Sequence, residues 1–135
     1  MLKKAVCVFA VTLSSLTCQF VASAGEEEDE KQTIYVSMNP HFLTNLAGDQ
    51  RFVRIKAQAL VSNEATQNAL QLHMPAVRHE LLMLLGDLQA EDLKGVAQKQ
   101  KFLDDAVAIM RDTLTRYNAE ATDIDGLFIT SMVIQ

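Results

Sequence analysis

The densest apolar stretch of the chain is residues 75–86 (PAVRHELLMLLG). In it Val77, Leu81, Leu84 and Leu85 recur at i, i+4, i+7 and i+8, the spacing of one helical face. Leu82 and Met83 widen that stripe, so this helix is expected to be covered on more than one side. Pro75 suits a first turn, where the amide it lacks would have no helical partner. Gly86 is placed to close the helix in a left-handed conformation. Upstream the period changes from helical to alternating. Ile34, Val36 and Met38 alternate with Thr33, Tyr35 and Ser37, which predicts a half-buried strand over residues 32–38. Asn39-Pro40 ends it, and residues 42–46 follow as a short extended piece before the turn residues at 47–50. Residues 51–62 form the longest predicted strand. Val53, Ile55, Ala57, Ala59 and Val61 fall on one face, against Arg54, Lys56, Gln58 and Ser62 on the other, with Phe52 and Leu60 breaking the polar side.

Ser62 and Asn63 are N-cap candidates for a following helix, with Glu64 in its first turn. Its weak apolar side is Ala65, Ala69, Leu70 and Leu72. Met74 precedes a proline and is disfavoured in helical geometry, so residues 74–75 either separate two helices or kink one. Residues 87–95 read as a polar connection with one helical turn. The clearest helix is 96–118, with a stripe of Leu103, Val107, Met110, Leu114 and Tyr117 widened by Phe102, Ala106 and Ile109. Lys101, Asp104, Asp105, Arg111 and Asp112 fall on its solvated side. After a turn at 123–126, residues 127–134 (LFITSMVI) place apolar groups on both faces, which predicts an inner or well-covered strand. The fold class is α+β: a small sheet from two N-terminal strands and one C-terminal strand, packed with two or three helices.

The first 24 residues stand apart from this pattern. Lys3 and Lys4, an apolar run over 5–13 and the small-x-small sequence Ala22-Ser23-Ala24 point to a signal peptide at 1–24. An uncleaved anchor over the same segment is the alternative, weakened by Ser14, Ser15, Thr17 and Gln19. Removing residues 1–24 takes away two lysines and no acids, moving the net charge from −5 to −7. Both cysteines, Cys7 and Cys18, go with them, so no disulfide or thiol chemistry is expected of the remainder. Residues 25–31 (GEEEDEK) form a solvated acidic leader, and residues 32–135 a single domain. The acidic balance argues against nucleic acid as a partner.

Candidate chemistry is sparse. His73 and His79 are six apart and do not share a helical face, and neither stands in an HExxH pattern. Asp123-x-Asp125-Gly126 resembles part of a calcium loop, but Ile134 stands where the bidentate acid belongs, so a turn is the better reading. No phosphate loop, GxGxxG or GxSxG is present. No catalytic residue, metal or cofactor is therefore expected, and the chain reads as a binding or structural part rather than a periplasmic hydrolase.

Four segments together resemble the flagellar basal body-associated protein FliL family. Tyr35-Val36-Ser37-Met38-Asn39-Pro40, with Phe42, Asn45 and Leu46, is similar to its opening strand. Arg51-Phe52-Val53-Arg54 through Val61-Ser62 is similar to its long strand. His73-Met74-Pro75-Ala76-Val77-Arg78 through Leu85 resembles its apolar helix, and Ile129 to Gln135 its terminal strand, with Ser131 where the family usually carries an acid. The resemblance implies a stomatin-like fold and a periplasmic, non-enzymatic place at the inner-membrane basal body. It also implies self-assembly into rings and association with flagellar stator proteins, supporting torque under load. Membrane association would then run through those partners or through an uncleaved N-terminal segment. A soluble periplasmic adaptor of the same fold, serving another envelope complex, is the alternative. Arg54 and Lys56, side by side on the polar face of the long strand, are the candidate interface residues.

Overall fold

The structure, a computed structural model, describes residues 32–135 apart from Asp49, Asn118, Glu120 and Ala121. The expected signal segment and acidic leader lie outside the described residues. Strand β3 (Phe52–Val61) follows the alternation of its sequence. Val53, Ile55, Ala57, Ala59 and Val61 are buried, while Arg54 and Lys56 are exposed on the opposite face. All strand pairing is antiparallel and centres on β3. β1 (Ile34–Ser37) pairs with Gln58–Val61, and β2 (Phe42–Asn45) with Phe52–Ile55. The two therefore run end to end along one edge of β3. They are joined across a cis Asn39–Pro40 bond, with the Met38 amide donating to the Ala57 carbonyl at 3.1 Å. The expected short extended piece is thus a strand in its own right, and the sheet has four strands rather than three.

β4 (Ile124–Ile134) fills the other edge of β3 along its whole length. The expectation of an inner or well-covered strand is overturned, because among the described residues β4 pairs only with β3 and Phe128 stands exposed on its open side. Register shifts between Lys56 and Ala57 and between Leu60 and Val61 explain the misleading pattern. Each bulge inserts an extra residue and reverses the inside-outside parity of those beyond it. Ile124, Leu127, Ile129, Met132 and Ile134 consequently all stand opposite the inward residues of β3. Most of the apolar groups that seem to alternate between two faces lie on one face read across two bulges, while Phe128 and Val133 stand on the other.

Helices seal that inward face. α1 (Glu64–Leu72) starts at Asn63, whose Oδ1 accepts from the Thr66 amide at 2.7 Å, the expected cap. Its buried residues are Thr66 and Leu70, not the Ala65 and Leu72 of the predicted side, and Leu72 is exposed. Thr66 is tolerated inside because its hydroxyl accepts from the Asp123 amide at 3.2 Å. α2 (Met74–Gly86) is a separate helix, meeting α1 at His73. Met74 takes the first helical position despite the proline after it. The turn is closed by the Val77 amide donating to the His73 carbonyl at 3.1 Å and by burial of Val77, Leu81 and Leu85. Met83 remains 56% exposed, so cover on that side of α2 is incomplete.

Gly86 is the last residue of α2 and does not adopt the expected left-handed conformation; among the described glycines only Gly48 does. A Cβ at Gly86 would meet its nearest neighbour, Thr44 Oγ1, at 3.7 Å, an ordinary contact. Gly86→Ala is therefore expected to stabilise the domain by about 0.5 kcal/mol, by removing unfolded-state freedom without strain. A higher urea midpoint checks this, and a lower one would show that the helix end needs glycine.

A 3-10 turn (Ala90–Leu93) leads into α3 (Val96–Arg116). Ala90 and Leu93 are buried, so the connection read as polar also contributes to the core. The buried rail of α3 is Phe102, Ala106, Met110, Thr113 and Leu114. It is rotated from the predicted stripe: Leu103 and Val107 are half-buried, and Tyr117 is exposed and stacked on His73 at 5.1 Å between ring centroids. Thr113 joins the rail because its hydroxyl donates to the Ile109 carbonyl at 2.7 Å.

Candidate interaction surface

With the helices on one side, the outward residues of the sheet form an open face. The alternation that buries Val53 and Ile55 presents Phe52, Arg54, Lys56, Gln58 and Leu60 outward. Pairing adds Leu43 opposite Arg54 and Tyr35 opposite Leu60 on one side, and Val133 opposite Arg54 and Phe128 opposite Gln58 on the other. The ring centroids of Tyr35 and Phe128 are 6.0 Å apart, making an aromatic end. Leu43 and Phe52 are exposed at the other end. Arg54 and Lys56 lie between them. Where the chain leaves β3 between β1 and β2, an open depression of about 170 Å³ is lined by Ser37, Asn39, His41, Lys56, Gln58 and Thr130.

The two cations of this face differ from most of the others. Arg78 donates to the carbonyls of Met38 and Pro40 and lies 4.5 Å from the Phe42 ring centroid, fastening α2 to the join between β1 and β2. Burial lowers its guanidinium below the usual arginine range. Arg111, expected on a solvated face, donates to the Ile124 carbonyl and ties α3 to the start of β4. Arg116 bridges Asp112 and Glu80, and those hydrogen bonds, Asp112 first, raise its pKa. Lys94 pairs with Glu91 and Lys101 with Asp105. Arg54 and Lys56 have no ion pair among the described residues.

The remaining candidates are dispersed. His73 is stacked on Tyr117, His79 is exposed, and Glu80 engages Arg116. Asp123 accepts from the Asn63 side-chain amide at 2.8 Å, a structural use at the corner between α1 and β4. Among the described residues, no group of three or more His, Cys, Asp or Glu is placed to hold a metal ion. A groove of about 430 Å³ runs between α3 and β4, lined by Leu103, Val107, Arg111, Leu127 and Phe128 among others. No helix among the described residues is long and apolar enough to cross a membrane. Arg78 was the residue least visible to periodicity; only its place in the family-like segment 73–78 marked it.

These features define a two-layer α+β domain, one face of its sheet sealed by helices and the other open, apolar at its ends and cationic in its middle. Residues 35–135 match the family described as flagellar basal body-associated protein FliL, and the chain belongs to that family. It is accordingly a flagellar basal body-associated protein. No curated protein matches the chain.

Proposed function

We propose that this protein is a non-enzymatic accessory of the flagellar motor, which assembles with copies of itself and associates with stator components in the periplasm to support torque under load. The family match over residues 35–135 carries this reading. The open sheet face supports it, since aromatic and aliphatic groups around cations that have no ion pair among the described residues suit contact between protein surfaces. Arg54 and Lys56 meet an acidic surface on a neighbouring copy or on a stator component. Charges of this kind act chiefly on association rate and salt dependence.

Reversing both, as Arg54→Glu with Lys56→Glu, should leave the fold intact, because exposed substitutions typically change stability by about 0.5 kcal/mol or less. Cells carrying the double variant should swim measurably worse than wild type in viscous medium, with a smaller difference in dilute broth. A folded variant that assembles normally and moves like wild type under load would remove the pair from the interface. Deletion of the gene without any motility defect would count against the motor role itself.

A further inference from the structure

We infer that the outer edge of β4 pairs with β4 of a second copy, antiparallel about a two-fold axis between Thr130 and Ser131, joining two sheets into one. Among the described residues β4 pairs only with β3, which leaves its other edge as a row of backbone donors and acceptors that a strand can meet. The opposite edge of the sheet is blunted. There β1 and β2 have four residues each and are interrupted at Asn39–Pro40, and short strands and prolines discourage strand addition. β4 has eleven residues, and the chain from Gly126 to Gln135 holds neither a charge nor a proline.

The side-chain pattern of β4 selects the occupant. Leu127, Ile129, Met132 and Ile134 stand opposite inward residues of β3, and Phe128, Ser131 and Val133 opposite outward ones. Thr130 is the extra residue of the bulge. It lines the outward depression with Lys56 and Gln58, and its hydroxyl donates to the Lys56 carbonyl at 3.3 Å. From 127 to 134 the order is therefore in, out, in, out, out, in, out, in, which is the same in reverse. Antiparallel pairing of two copies sets Leu127 against Ile134, Phe128 against Val133, Ile129 against Met132 and Thr130 against Ser131. Both members of every pair lie on the same face, as cross-strand neighbours must. A strand without the bulge would fall out of phase at Thr130. A second β4 carries the same irregularity at the matching place, and the two-fold axis makes the contact self-complementary.

Burial along β4 agrees. Leu127 is buried, but Ile129, Met132 and Ile134 are only half-buried although they too face inward, and Phe128 is exposed. The described helices thus stop short of full cover at this edge, and the second copy supplies the missing neighbours. Its Ile134 arrives beside Leu127, where the groove of about 430 Å³ opens among Leu103, Val107 and Leu127. An axis perpendicular to the sheet keeps the helices of both copies on one side and both sets of Arg54 and Lys56 on the other. One strand pair is a small interface, about 1,200 Å² or less, so the dimer is weak and concentration-dependent. The inference rests on the proposed self-assembly in taking a second copy as the occupant.

Disulfide trapping of the full chain, in a Cys7→Ser and Cys18→Ser background, tests it. Phe128 of one copy stands opposite Val133 of the other, with Cα atoms about 4.5–5.5 Å apart, within reach of a disulfide. The two copies of position 128 stand five strand positions apart, about 17 Å, as do those of position 133. A mixture of Phe128→Cys and Val133→Cys chains in a glutathione buffer should therefore form mixed dimers in about tenfold excess over either like pair. Adding Ser131→Lys to both chains sets two ammonium groups beside the axis. It should abolish the excess at an unchanged melting temperature, because position 131 is exposed. An excess that survives Ser131→Lys would overturn the pairing. Mixed and like dimers in equal amounts would overturn it too, while a concentration-dependent oligomer in the same sample would leave self-assembly through another surface standing. A chain that sediments as a monomer at every concentration, with no mixed dimer trapped, would overturn the pairing and the proposed self-assembly together.

Discussion

Leu81→Asp is expected to unfold the domain or leave it marginal, with a loss of about 4 kcal/mol or more. Leu81 is 2% exposed and packs in the same cluster as Ile55, Leu85, Phe102 and Leu127. A small pocket at its side is lined by apolar residues only, so a carboxylate there would find neither water nor a donor. Domains of this size have only about 5–15 kcal/mol of net stability, so the loss is a large part of the whole. Urea unfolding followed by circular dichroism measures it, with Leu81→Met as the volume-conserving control, expected to cost less than about 1.5 kcal/mol. An aspartate variant with a near wild-type midpoint would show that α2 is not seated as described.

Arg78→Met should cost about 2–3 kcal/mol, through loss of charge-assisted hydrogen bonds to two carbonyls and of the guanidinium over Phe42. The methionine fills much of the volume but leaves the Met38 and Pro40 carbonyls without their donor. Arg78→Lys should recover only part, since an ammonium lacks the planar fork and stacks poorly on a ring. The same unfolding experiment reads both. If lysine restores full stability, charge alone holds the join between β1 and β2, and the fork geometry does not matter.

The sequence made the helices and the central strand legible because their signals are local. Alternation in β3 and the apolar density of α2 survive any packing arrangement. The misread positions all depend on something distant. Thr66 is buried because Asp123, far along the chain, supplies its amide, and Leu72 is exposed because α1 turns its Thr66–Leu70 side inward. The rotation of the α3 stripe reflects which neighbours it meets, a choice the 3.6-residue period cannot express. In β4 the bulges defeat any fixed period, and pairing with β3 is what shows that Ile124, Leu127, Ile129, Met132 and Ile134 share the inward face while Phe128 and Val133 face out. The cation pair was legible as a pair on the polar face, because alternation alone places Arg54 and Lys56 together. That they are flanked by Leu43, Val133 and the Tyr35–Phe128 contact needed the cross-strand register.

The pairing of β4 along the full length of β3 has a consequence for the order of events during synthesis. Phe52 and Gln135 exchange both backbone hydrogen bonds, at 2.9 and 3.0 Å, joining the start of β3 to the residue after β4. Until β4 has been made, a whole edge of β3 has no partner and its inward residues lack their covering row. Contacts between positions so far apart carry the largest loop-closure cost and form late. A nascent chain halted before Ile124 therefore holds helices without a finished sheet, and synthesis of β4 is the step that commits the domain to its native state.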